Sequence, residues 1–156
     1  MKAVTLLQPV ASLVVRGACR LEVRAWRTAH RGRVAVYASC AFPLTAREVC
    51  SCEPVRSALR ASLGHDDWRR LPLGALLGTV ELIDCTPTEE DSRQGGWAWI
   101  LGSPEPLAQP IPYCGCLGVF EVPDDLFQPE FEIRCPRGAP DGGSDKPISS
   151  EGRQVF

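Results

Sequence analysis

The sequence predicts a small α+β domain, mainly β, built as a mixed sheet or barrel with short helices packed around it. Several apolar segments of strand length recur along the chain, whereas helical segments are few and are interrupted by Pro9, Gly17, Pro54 and Gly64. Gly-rich phosphate loops of the GxGxxG or GxxxxGKS/T kind are missing, which removes the usual mark of a doubly wound parallel sheet. At 156 residues the chain fits one domain with a core of its own. Its 44% apolar and 23% charged residues match an ordinary globular composition.

Residues 3–7 read as a first strand. Pro9 suits the first turn of a helix, residues 11–15 supply its apolar body, and Gly17 stands where a helix ends in the left-handed region. A charged strand is expected at about 20–25. The polar turn 27–32 then leads to an apolar strand at 33–39 that should be central. Thr45 or Ser51 is placed to cap helical segments running through Ser62 to a stop at Gly64, and Pro54 argues against one unbroken helix. Residues 71–74 form a turn, and 75–85 a long strand that carries Glu81 and Asp84. Two further strands are expected at 97–101 and 111–122. From Pro136 on, Gly, Pro, Ser and Asp dominate, so the domain is expected to span 1–135 and residues 136–156 to form a disordered tail.

Charge is unevenly spread. Residues 1–70 carry 12 Lys/Arg against 5 Asp/Glu, and the remainder 5 against 14, which together give the net −2. Arginines 16, 20, 24, 27, 31 and 33 fall within one short stretch, a pattern that marks a nucleic-acid or phosphate contact or else two halves that neutralise each other. The same arginines come near helical spacing, but Gly17, Val23, Thr28 and Gly32 make a poor helix, so a strand is preferred.

No run reaches the roughly 18 to 20 apolar residues needed to span a bilayer. The apolar start of the chain is broken by Gln8-Pro9, and Arg16 stands where a signal cleavage site needs a small residue. A cytoplasmic protein without membrane contact is expected. Of the eight cysteines, two Cys-x-Cys pairs at 50/52 and 114/116 lack the Cys-x2-Cys knuckle spacing, so buried free thiols are preferred to zinc or disulfides. With two histidines and no GxSxG elbow, most familiar enzyme classes are disfavoured, and neither a metal nor a cofactor is expected.

Residues 17–26, Gly-Ala-Cys-Arg-Leu-Glu-Val-Arg-Ala-Trp, concentrate the functional signal. Period-two alternation puts Arg20, Glu22 and Arg24 on one face and Leu21 and Val23 on the other. That plus-minus-plus row is either a solvated surface or the floor of a site for a polar, anionic ligand. Glu22 between two arginines is held ionised and orients Arg24 for a phosphate or base edge, or else simply ties the sheet together. Arg20, Arg24 and Arg31 offer phosphate contacts. Trp26 and Trp97 offer stacking faces, with core packing as the alternative. Glu81, in an apolar strand, is a candidate for a perturbed carboxylate, and Gln8 for a donor at the helix start.

Three separated segments, Gln8-Pro-Val-Ala-Ser12, Gly17 to Trp26 and Thr28-Ala-His-Arg-Gly32, resemble the ASCH (activating signal cointegrator homology) family. Its signature is Gln-Pro-Trp-Ala-Ser, then Gly-x-Lys-x-x-Glu-x-Arg, then Arg-Gly. Residues 73–85, 96–101 and 110–112 resemble its later strands, so the likeness runs over about 2–122. The resemblance implies a PUA-like β-barrel and a cleft, framed by the first helix and the charged strand, for RNA or a modified nucleoside. Gln8, Ser12, Cys19, Arg20, Glu22, Arg24, Trp26 and Arg31 are then the expected ligand-binding residues. Cys19 replaces the signature lysine and Val10 the signature tryptophan. A branch that hydrolyses N4-acetylcytidine uses that lysine and a threonine at the position of Glu22, and both are replaced here. The first reading is thus an RNA- or nucleotide-binding module. A nucleoside- or RNA-acting hydrolase with Glu22 or Glu81 as general base is the second, and a protein-interaction domain with a protein partner is the third.

Overall fold

The computed structural model describes residues 1–88 and 96–127. The expected tail at 136–156 lies outside the described residues. Six strands form one sheet: β1 (Lys2–Leu6), β2 (Leu21–Arg24), β3 (Gly32–Ala38), β4 (Ala75–Pro87), β5 (Trp97–Pro112) and β6 (Val119–Glu121), in the order β2-β5-β4-β3-β1-β6. Only β1 and β3 pair in parallel, and every other neighbouring pair is antiparallel. The helices are α1 (Val10–Val15), α2 (Leu44–Ser51) and α3 (Val55–Leu63).

The order of elements follows the residues. β3 lies between β1 and β4 and is covered on both sides. Val34, Val36 and Ala38 join one apolar cluster, while Ala35 and Tyr37 join another on the opposite face. A strand buried on both faces must be apolar throughout, as residues 34–38 are. Ala11, Val14 and Val15 of α1 bury themselves in the first cluster with Leu77, Val80, Leu82, Trp99 and Leu101. Gly17 takes φ +73° just after α1, the left-handed turn at which a side chain is disfavoured. Leu13 of α1 packs instead with Cys50, Leu59 and Leu71, and so fastens the α2–α3 pair to the sheet.

The sheet curls into a half-barrel. β2 and β1 stand four places apart in the strand order, yet Arg24 at the end of β2 donates through Nη2 to the carbonyl of Thr5 in β1. A flat sheet would keep those strands well apart, since neighbours are spaced about 4.8 Å.

Two expectations need correction. The strands expected at 97–101 and 111–122 are instead one long strand, β5, followed by the three-residue β6. Residues 102–112, with four prolines, have the composition of a loop. They nevertheless continue the ladder with β4, with register shifts and with Ser103 at φ +43°. β2 pairs with β5 only at 97–100, so among the described residues the later part has no second partner strand, and proline there costs no hydrogen bond on that side. The helix caps also differ. Thr45 and Ser51 lie inside α2, and Pro43 and Pro54 precede α2 and α3 without a side-chain cap. At α3 the work falls to Glu53, whose Oε2 accepts from the Ser57 amide at 3.2 Å and its hydroxyl at 2.6 Å. The arginine-rich segment is not helical, being divided among the end of α1, β2, the loops on either side of β2 and the start of β3.

Candidate functional site

β2 carries its polarity the wrong way round for a surface strand. Leu21 and Val23 are 51% and 55% exposed, whereas Glu22 and Arg24 are half-buried. The register explains it. Glu22 faces Trp99 and Arg24 faces Trp97 across the β2–β5 ladder, and Trp99 is a member of the interior cluster. Cross-strand partners share a face, so the two charged residues point into the half-barrel and the two apolar ones point out. Ile83 and Ile100 are also exposed, at 53% and 36%.

Inside, Arg24 and Glu22 are only partly paired. Arg24 Nε lies 3.6 Å from Glu22 Oε1, beyond hydrogen-bond reach, and has no hydrogen-bond partner among the described residues. Burial raises the Glu22 carboxyl above the ordinary carboxylate value, against the pull of Arg24. The same burial lowers the Arg24 guanidinium against the pull of Glu22. For each group, loss of water outweighs the attraction of its partner.

The aromatic residues close around this pair. The Arg24 guanidinium lies 5.8 Å from the centre of the Trp99 ring, and Trp26 meets that ring edge-on with centroids 4.8 Å apart. Trp26, Trp99, His30, Thr28, Val34 and Leu82 are among the residues lining a cavity of ≈ 160 Å³ that reaches β1 at Lys2–Val4. Trp99 Nε1 and His30 Nε2 are enclosed there with no hydrogen-bond partner among the described residues. Three buried nitrogens without partners, on Arg24, Trp99 and His30, thus gather in one region. Buried polar groups are nearly always satisfied, and leaving one unmade costs about 1–3 kcal/mol.

The remaining sequence candidates are differently placed. Arg20 is exposed just before β2, and its carbonyl accepts from the Leu101 amide at 2.8 Å. Cys19 is half-buried, is packed against the apolar clusters of α1, and directs its thiol to the Leu21 carbonyl at 3.1 Å. Arg31 is used within the protein: Nη2 donates to Asp84 at 2.7 Å and Nη1 to the carbonyls of His30 and Thr28. The Cys85 amide, and after it that pairing, hold the Asp84 carboxyl below the usual range. Gln8 is buried with both ends of its amide bonded, to the Pro72 carbonyl at 2.8 Å and the Ser12 amide at 3.1 Å. Ser12 is buried in α1 and borders a different cavity. Glu81 is exposed, accepts from the Ser103 hydroxyl at 3.1 Å, and is not among the residues lining the Trp26–Trp99 cavity. Trp97 is half-buried, with the Arg27 guanidinium 5.3 Å over its ring.

Sequence reading singled out neither Trp99 nor His30. The signal for Trp99 was its spacing: it follows Trp97 by two and therefore shares its face. Among the described residues no group of three or more metal-ligating side chains comes together, and no helix is long and apolar enough to cross a membrane.

A curled, mainly β half-barrel with three short helices and a polar inner face at one edge defines an α+β barrel of the PUA-like class. No family model matches the chain. It is 39% identical to activating signal cointegrator 1 of Homo sapiens and 30% identical to activating signal cointegrator 1 of Mus musculus, each over 130 residues. Both alignments cover 78% of this chain and 22% of the relative, so the chain spans about a fifth of those proteins. On that homology the chain belongs to the ASCH family.

Proposed function

We propose that the chain is an RNA- or nucleotide-binding ASCH module whose site is the Trp26–Trp99 cavity beside the inward face of β2, a cavity that α1 does not line. The observation that carries this reading is the set of unpaired enclosed nitrogens on Arg24, Trp99 and His30 beside the inward-facing Glu22. A nucleobase supplies what such a set lacks: ring and carbonyl acceptors in its plane, and a π-face for tryptophan. The exposed Arg20 and the basic first half of the chain supply the phosphate attraction. Filter binding with single-stranded RNA across a salt series tests it. Affinity is expected to fall linearly on logarithmic axes as salt rises, and Arg24→Ala is expected to weaken binding. Binding that is absent, or indifferent to salt, overturns the reading.

One observation favours a second reading. A half-buried carboxylate whose pKa is raised by burial is a stronger base than an exposed one, and Glu22 has that character. The site would then belong to a hydrolase acting on a modified nucleoside or RNA, with Glu22 as general base. Turnover of N4-acetylcytidine or labelled RNA that is lost in Glu22→Gln supports it, and no turnover by the wild type rejects it.

A further inference from the structure

A second, larger cavity of ≈ 390 Å³ lies on the other side of α1, between that helix, the end of α3 and the β4–β5 ladder. Its volume is within the range of about 300–1,000 Å³ typical of small-molecule sites. One part of the lining is cationic and polar, with Arg16, Arg70, His65 and Ser62. The facing part is apolar and rigid, including Pro72, Pro106 and Pro110. No carboxylate is among the described lining residues. Neither arginine has an ionic partner among the described residues. The nearby Asp66 is already engaged by Arg56 at 2.8 Å and Arg60 at 2.7 Å, which leaves the cavity's positive charge uncancelled. His65 Nδ1 is enclosed without a hydrogen-bond partner among the described residues.

We infer that this cavity binds a nucleotide carrying a phosphate monoester. Two free guanidiniums and an imidazole match a dianionic phosphate, since planar N–H forks fit its oxygens in pairs. The proline wall gives a flat apolar surface for a base. The same chemistry is offered by a free mononucleotide and by the phosphorylated end of an RNA. It is a separate site from the Trp26–Trp99 cavity, with which it shares no lining residue.

Calorimetric titration of the full chain with AMP, with adenosine and with inorganic phosphate tests the site. In parallel, one RNA oligonucleotide is titrated with a 5′-phosphate and with a 5′-hydroxyl. AMP is expected to bind at least tenfold more tightly than adenosine, and Arg16→Ala and Arg70→Ala each to weaken AMP at least fivefold. Both arginines are exposed, so the variants should melt as the wild type does. Val23→Ser, on the outer face of β2 and lining neither cavity, should leave AMP binding unchanged. A preference for phosphorylated over hydroxyl RNA that disappears in Arg70→Ala identifies the RNA end as the source. AMP binding without that preference identifies the free nucleotide. The inference is overturned if AMP binds no better than adenosine, or if AMP binding is unchanged in both Arg16→Ala and Arg70→Ala. Neither of those results bears on RNA binding at β2, which is read separately.

Discussion

β2 and β3 are joined by one short loop and belong to one sheet, yet they spend their side chains in opposite ways. β3 buries apolar groups on both faces, with Val36 fully enclosed. β2 turns Glu22 and Arg24 inward and leaves Leu21 and Val23 in water. A strand selected for stability alone would be flipped by one register step, which exchanges its two faces. On the proposed reading the difference separates scaffold from site: β3 holds the half-barrel together, while β2 gives up apolar burial to hold charge at the edge of the interior.

Four substitutions put pressure on that contrast. The largest effect is expected in the scaffold. Val36→Ala removes buried methyl groups and leaves a void, costing about 2 kcal/mol or more in urea unfolding while leaving RNA affinity intact. Trp26→Ala, at a 39% exposed position, should do the converse, weakening RNA by about 1–3 kcal/mol in filter binding with little loss of stability.

Glu22→Gln comes next and acts through pH. Burial raises the folded-state pKa of Glu22, so the native protein keeps this proton where the unfolded chain has released it. The group's favourable contribution is therefore complete below the ordinary carboxylate value of about 4.3 and is lost as pH rises through the raised one. Glutamine mimics the protonated form. Thermal melts should show the variant more stable than wild type at pH 7, with the gap closing by pH 4. Smallest of all is Val23→Ser on the outer face of β2, expected within about 0.5 kcal/mol of wild type. A large loss there would mean that the outward face is not the solvent face.

Alternation and breaker residues made much of the scaffold legible. The apolar run at 34–38, the Gly17 and Gly64 stops and the break at Pro54 are local signals, and the folded chain obeys them. The continuation of β5 through 102–112 was hidden because it depends on an edge without a second partner strand among the described residues, which only the strand order reveals. The site was half legible. Period two separated Glu22 and Arg24 from Leu21 and Val23, but which face is inward is decided by pairing with Trp99. Residue type likewise suggested Gln8, Arg31 and Glu81, whose atoms are bonded to the protein's own groups. Trp99 and His30 were hidden because an unpaired nitrogen is a property of the folded surroundings.

The indole N–H signals of Trp26, Trp68, Trp97 and Trp99 give the most direct test, followed by NMR as single-stranded RNA is added. Trp99 Nε1 is the indole nitrogen enclosed without a partner. The account predicts that its N–H resonance shifts strongly, Trp26 moves with it, and Trp68, packed against Phe42 beside the helices, stays in place. RNA binding that leaves Trp99 and Trp26 unmoved would contradict the assignment of this face of β2 as the nucleic-acid site.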